Sequence, residues 1–341
     1  MKDLLLINAS ILTEEGMVDK GYIYIKDGKI AETGLVSSLP TYQAEVIELP
    51  EDSTIVAGFI DVHIHGAGGA DTMDATIDAI TTMASILPEE GTTSFLATTI
   101  TQAQEAIMKA LENAADYISH HNKPGKAEVL GIHLEGPFIN ESHKGAQPSQ
   151  HIIPPDIELF AKMQEASGNN IRLVTLAPEK ENGNAVIAYL AEKGVIASVG
   201  HSDATYAQMV EAVKAGATHV THLFNGMRGM HHRDPGVAGA ALLFDELKIE
   251  MIADGIHVVP EMLDLSIRAK GTDGVILITD SMRAKCLKNG TYDLGGQEVS
   301  VSDGKALLAD GTLAGSILKM KDSLHNMMKF TGISLEEAVK L

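Results

Sequence analysis

The sequence holds one cysteine, no tryptophan and few cations, and each shortage removes a class of protein. Cys286 stands alone, so no intrachain disulfide framework can form, and a reducing cytoplasm is the expected setting. Lysine and arginine number 26 against 46 aspartates and glutamates, a formal net charge of -20. A nucleic-acid backbone demands a basic surface, so no nucleic-acid partner is expected. The apolar run Leu4-Leu5-Leu6-Ile7 turns polar at Asn8, too short for a signal-peptide core or a bilayer span. No membrane partner is expected either. With aromatics at 4%, the core must rest on Ile, Leu, Val, Ala and the 15 Met.

What is present is an ordinary globular composition, 45% hydrophobic and 21% charged over 341 residues, enough for one large domain and a small one. Two rhythms divide the chain. Residues 1–57 read as strands and tight turns, with Asp27-Gly28 between two apolar runs as a hairpin signal. From residue 54 short apolar runs alternate with helical patterns such as Ile77, Ile80, Ala84, Leu87 and Ile107, Leu111, Ala114, Ile118. Eight strands are expected: 54–60, 92–97, 128–134, 171–177, 195–199, 219–222, 248–252 and 275–279. Eight βα units without a G-x-G-x-x-G turn fit a closed (β/α)8 TIM barrel over 58–341 better than an open doubly wound sheet.

Active sites of such barrels lie at the C-terminal ends of the strands. The unusual polar residues sit there: His63-Ile64-His65 after the first strand, His133-Leu134-Glu135 at the third, His201 after the fifth, His222 at the sixth, Asp280 at the eighth. Two His at i and i+2 on a strand share a face, so His63 and His65 can reach one ion. Glu135, His201 and His222 add the imidazole and carboxylate ligands of a catalytic divalent metal, Zn, Fe or another first-row ion. A lone His at a strand end is more often a hydrogen-bonded residue than a ligand; the weight lies in the whole set on one rim. Such an ion lowers the pKa of water toward roughly 7, and Asp280 is placed to take the water's proton and pass it on. His120, His121, His143, His151 and His325 read as structural or solvated.

A second cluster follows the sixth and seventh strands. Asn225 to Gly236 holds Arg228, His231, His232 and Arg233, and Asp254-Gly255-Ile256-His257 follows. In a chain this acidic a local cationic patch is what an anionic substrate needs, and Arg can grip phosphate with two hydrogen bonds.

Together these stretches resemble the N-acetylglucosamine-6-phosphate deacetylases of the amidohydrolase superfamily. They are Gly58-Phe59-Ile60-Asp61-Val62-His63-Ile64-His65-Gly66, His133-Leu134-Glu135-Gly136-Pro137-Phe138, Gly200-His201-Ser202-Asp203-Ala204, Thr221-His222-Leu223-Phe224-Asn225-Gly226-Met227, Ala253-Asp254-Gly255-Ile256-His257, Thr279-Asp280 and Leu313-Ala314-Gly315-Ser316. The resemblance implies release of acetate from N-acetylglucosamine 6-phosphate to give glucosamine 6-phosphate. It implies a principal metal on Glu135, His201 and His222, a second with His63 and His65, and hence one or two ions per subunit. Asp280 is implied as general base and then acid. Substrate contacts are implied at Ala146, Asn225, Gly226, His257, Leu313, Ala314 and Gly315, with Arg233 reaching the phosphate across a homodimer interface.

Two departures from the family pattern matter. Gln147 follows Lys144-Gly145-Ala146 where some members place a substrate-contacting His; its amide can still donate to the acetyl oxygen or a sugar hydroxyl. The chain also stops at Leu341, before the C-terminal strands that complete the family's small β-sandwich. Either the sequence is truncated, or the small domain manages with residues 1–57 and the 291–308 hairpin. The rival readings are an amidohydrolase acting on a cyclic ureide or an N-acyl amino acid, and a barrel kept as a non-catalytic scaffold.

Overall fold

Alternating apolar residues build the N-terminal part. In a computed structural model describing Lys2 to Leu341, Leu4–Thr13 pairs antiparallel with Gly16–Lys26, which pairs with Lys29–Leu35. Leu5, Ala9 and Ile11 point into that sheet's apolar side. Asp27 and Gly28 both take left-handed φ, 51° and 76°, the twist that a two-residue hairpin needs. Glu45–Glu48 and Thr54–Ile55 add to the first strand in parallel. This sheet and the single turn Leu335–Ala338 belong to one compact unit, the residues up to Gly58 with Ser334–Lys340.

The second unit, Phe59–Ile333 with Leu341, is a (β/α)8 TIM barrel. Its parallel strands are Phe59–Ile64, Thr92–Thr99, Glu128–Glu135, Ile171–Leu176, Ile196–Val199, His219–Val220, Lys248–Ile252 and Val275–Ile278, adjacent in chain order. The ring closes where Asp280 N–H donates to His63 O at 2.8 Å and His65 N–H to Ser281 O at 2.9 Å. Helices such as Ile77–Ile86 and Gln104–His120 bury the periodic faces read from sequence, including Ile80, Ala84, Ile107, Leu111 and Ala114. No helix of the described residues is long and apolar enough to cross a membrane.

Two boundaries differ from expectation. The first barrel strand is not 54–60: Thr54–Ile55 is taken by the N-terminal sheet, and the barrel strand begins at Phe59 beyond Gly58. An apolar run does not say which sheet will capture it. Thr221 and His222 leave the sixth strand early, because His222 turns to a φ of 31° that a strand cannot accommodate. The 290–307 segment forms its own antiparallel sheet of Gly290–Leu294, Gln297–Ser302 and Lys305–Leu307, in the barrel's unit. Its strands do not extend the N-terminal sheet, because their apolar face is spent locally: Leu294, Val299, Val301 and Ala306 pack with Ile100, Met282, Ala284 and Ala314.

The segment that leaves the eighth strand is pinned by a buried ion pair. Lys285 Nζ lies 2.5 Å from Glu90 Oε1, with both side chains sealed from solvent. Removing the cation strands a carboxylate in the interior. Lys285→Met is therefore expected to lower unfolding free energy by about 3–5 kcal/mol in denaturant titrations; a loss below about 1 kcal/mol would show that the pair does not pin this segment.

Candidate active site

Six side chains from five strand ends meet at the C-terminal rim of the barrel. His63 ends its strand's inward face and His65 follows two residues later; Glu135 ends the third strand, and His201, His222 and Asp280 follow the fifth, sixth and eighth. They form two triads, His63–His65–Asp280 and Glu135–His201–His222. Glu135 joins them. Its Oε1 lies 3.0 Å from His201 Nε2, 3.2 Å from His222 Nε2 and 3.5 Å from His63 Nε2. Its Oε2 lies 3.2 Å from His65 Nε2. Asp280 Oδ1 is 3.4 and 3.3 Å from the Nε2 atoms of His63 and His65.

This arrangement fits a metal. Ligand atoms bound at roughly 2.0–2.1 Å in a tetrahedron sit about 3.3–3.4 Å apart, and the Nε2 atoms of His201 and His222 are 3.2 Å from each other. Outer partners set the tautomers. His201 Nδ1 donates to the His143 carbonyl at 2.9 Å, and His63 Nδ1 to Glu250 Oε2 at 3.1 Å. In each neutral ring the Nε2 lone pair therefore faces the site, as a ligand must. The buried His63 Nε2 has no hydrogen-bond partner of its own.

Electrostatics make the same demand for positive charge. Burial would strip the proton from His65, but hydrogen bonding to Asp280 and Glu135 outweighs it and raises the pKa to about 9. His63 is likewise raised well above the ordinary imidazole value, burial being outweighed by Asp280 and Glu135. Burial pushes Asp280 up, yet the imidazoles of His63 and His65 win and hold it as a carboxylate. His133, beneath His63 with ring centres 4.5 Å apart, goes the other way: burial and the His63 charge keep it neutral.

The backbone is bent to aim these groups. His201, His222 and Asp280 have φ of 48°, 31° and 46°, the left-handed region that non-glycine residues rarely enter. Gly226, φ +57°, permits one close approach: a Cβ there would come within 2.9 Å of His201 Nδ1 and 3.2 Å of the His143 carbonyl, the hydrogen bond that orients His201.

A cleft of about 190 Å³ opens beside the cluster. His65, Glu135, His201, His222 and Asp280 line it, as do Ala146, Gln147, Asn225, Gly226, His257, Leu313 and Gly315. His63 lies behind it, fully buried. Ala314 turns away into the apolar cluster under the 290–307 sheet. Arg233 is exposed outside the lining, 2.7 Å from His232 Nε2. Arg228 is spent on Asp203 and Asp234, so it is not a free cation for an anion. Gln147 does not aim a free amide at the cleft: Nε2 donates to Glu135 Oε2 at 2.8 Å and Oε1 accepts from Thr101 N–H at 2.8 Å. His257 Nδ1 is held by Asp254 Oδ2 at 2.7 Å, leaving Nε2 toward the cleft.

Three supports escape a reading by spacing. His143, read as a solvated loop residue, contributes its carbonyl to His201 and its ring to Asp203. Glu179 binds Asn140, Ser202 and the Asp203 N–H, ordering the turn that carries His201. Glu250 is fully buried inside the seventh strand; a lone carboxylate in a strand covered on both faces was the available signal.

A parallel eight-stranded barrel with imidazole and carboxylate ligands on its C-terminal rim defines a metal-dependent hydrolase. The amidohydrolase family model matches residues 54–341. An N-acetylglucosamine-6-phosphate deacetylase of Bacillus subtilis is 50% identical over 334 residues, 98% of this chain and 84% of that protein. One of Lysinibacillus sphaericus is 46% identical over 99% of this chain and 86% of its own length. A solved N-acetyl-D-glucosamine-6-phosphate deacetylase variant from Mycobacterium smegmatis, in complex with N-acetyl-D-glucosamine 6-phosphate, superposes with a TM-score of 0.92 at 32% identity, covering 100% of this chain and 88% of that one. The chain belongs to the amidohydrolase family, among its N-acetylglucosamine-6-phosphate deacetylases. It depends on a divalent metal.

The raised imidazole pKa values carry a sign for the metal-free protein. A group whose pKa rises from 6.5 to about 9 on folding adds stability that is complete below pH 6.5 and lost as pH climbs through 9. Chelator-treated protein should therefore melt at a lower temperature at pH 9.5 than at pH 6.5, and His65→Asn should reduce that difference. Equal pH dependence in the two proteins would contradict the assignment.

Proposed function

We propose that this enzyme hydrolyses the acetamide of N-acetylglucosamine 6-phosphate, giving glucosamine 6-phosphate and acetate. The observation that carries the reading is the relative of the same fold, solved in complex with that sugar phosphate, combined with the six-residue metal cluster beside a cleft in this chain. Glu135, His201 and His222 would hold the principal ion, and His63 and His65 would hold a second beside Glu135. When bound, the metal supplies Lewis acidity toward the amide oxygen and a lowered pKa for water. The chain supplies the proton transfers.

Asp280 is the base. It stays ionised against the imidazoles of His63 and His65, and it lines the cleft. Its carboxylate takes the proton of the attacking water and returns it to the departing amine nitrogen, so that glucosamine leaves as a neutral amine. Ala146, Gln147, Leu313, Gly315 and the backbone at Ala314 shape the sugar pocket, Gln147 acting by steadying the carboxylate of Glu135. Asn225, Gly226 and His257 receive the phosphate end. Arg233, exposed and outside its own cleft, serves the neighbouring subunit of a homodimer. A lone cysteine and an acidic surface suit a cytoplasmic enzyme.

Two measurements test this. Asp280→Asn should retain metal by elemental analysis while kcat falls by about 100- to 10,000-fold, the usual worth of a general acid–base group; wild-type turnover in that variant would remove Asp280 from the mechanism. Acetate release from unphosphorylated N-acetylglucosamine should show kcat/KM lower by roughly 10- to 100-fold, the loss of one charge-assisted hydrogen-bond set. Equal rates on the two sugars would favour an amidohydrolase with another substrate.

A further inference from the structure

Glu250 is the most conspicuous charged group that the catalytic assignment leaves unused. It lies in the middle of the seventh strand with no solvent exposure. Among the described residues no lysine or arginine pairs with it; its sole ion-pair partner is His63. One oxygen, Oε2, makes two contacts. It accepts Nδ1–H of His63 at 3.1 Å and the backbone N–H of His222 at 3.3 Å. The other oxygen, Oε1, is buried without a partner. A carboxylate enclosed in this way is costly unless positive charge stands nearby, and the nearest place for it is the cluster that His63 faces.

The two histidines of the first strand differ in how they are held. His63 has its Nδ1 fixed by Glu250, so its ring direction and its tautomer are both set. His65 Nδ1 has no partner. His63 also faces both triads, 3.5 Å from Glu135 and 3.4 Å from Asp280. Whatever orients His63 decides whether the second triad exists as a ligand set.

We propose that Glu250 is the positioning residue for the second metal, holding His63 in the tautomer and orientation that ligate it and tying that ring to the His222 backbone of the first site. This rests on the functional reading above and extends it. Negative charge delivered through the imidazole makes Nε2 a better donor, and loss of such a partner typically weakens metal affinity by about 10- to 100-fold. Because the carboxylate touches a side chain of one triad and only the main chain of the other, the effect falls on one ion and not on both.

The test is calorimetric titration of the chelator-treated, full-length protein with Zn²⁺, checked by metal analysis after dialysis. The wild type should bind two ions per subunit. Glu250→Gln, which keeps size and an acceptor oxygen but not the charge, should weaken one ion by about 10- to 100-fold and leave the other within threefold. His63→Asn should weaken the same ion, and the double variant should be no worse than His63→Asn alone. Glu250→Asp, which keeps the charge but withdraws it by one methylene, should show the same selective loss if the Gln variant does not fold. Unchanged affinities, equal weakening of both ions, or a single ion in the wild type would each overturn the proposal. Acetate release by the wild type is read separately: two ions without turnover on the phosphorylated sugar would defeat the functional reading and leave the role of Glu250 standing.

Discussion

Four imidazole nitrogens converge on the carboxylate of Glu135, and this convergence sets the terms for the rest of the molecule. Nitrogen lone pairs aimed at carboxylate oxygens repel unless a proton or a metal ion stands between them. The barrel enforces the meeting by geometry. Parallel strands in chain order bring the fifth and sixth ends side by side with the third one strand away, and closure of the eighth onto the first brings Asp280 against His63 and His65. No single strand could assemble the set.

Outside the first ring of ligands, several polar groups are aimed by a second one. The His143 carbonyl fixes His201, Glu250 fixes His63, Gln147 steadies Glu135, and Asp254 fixes His257. Two of these contacts link residues far apart in the chain, His143–His201 by 58 positions and Glu250–His63 by 187. The rim is thus built in layers, with loops supplying the His143 carbonyl, the Gln147 amide and the Asp254 carboxylate, and a strand supplying Glu250. Between the strands and the helices that cover them the packing is apolar, with Ile80, Leu111, Phe95 and Val174 in one cluster.

Much of this was legible in the residues themselves. Period-two spacing put His63 and His65 on one face, and the ends of apolar runs located Glu135, His201, His222 and Asp280, the six that the structure gathers. The illegible parts share a cause. Arg228 looked like a cation available to an anion, but Asp203, 25 residues away, neutralises it. Gln147 looked like a substrate contact, but its amide is taken by Glu135 and the Thr101 backbone. Composition and periodicity report what a residue can do, whereas its partner is fixed only when distant segments meet. The first strand's boundary failed for a related reason, since residues 54–60 read as one largely apolar run while Thr54–Ile55 belongs to another sheet.

The left-handed turns at His201, His222 and Asp280 bear on how such an enzyme can change. Each holds the chain in a conformation costing about 1–3 kcal/mol that an ordinary strand end would avoid. A mutation that relaxed any of them would make a more robust protein and a poorer binder of its ion, so selection for heat tolerance and selection for turnover pull against each other along the rim. The apolar layer between strands and helices carries no such conflict. Gains in robustness can accumulate there without touching the chemistry, leaving the rim and the core of one barrel to evolve at different tempos.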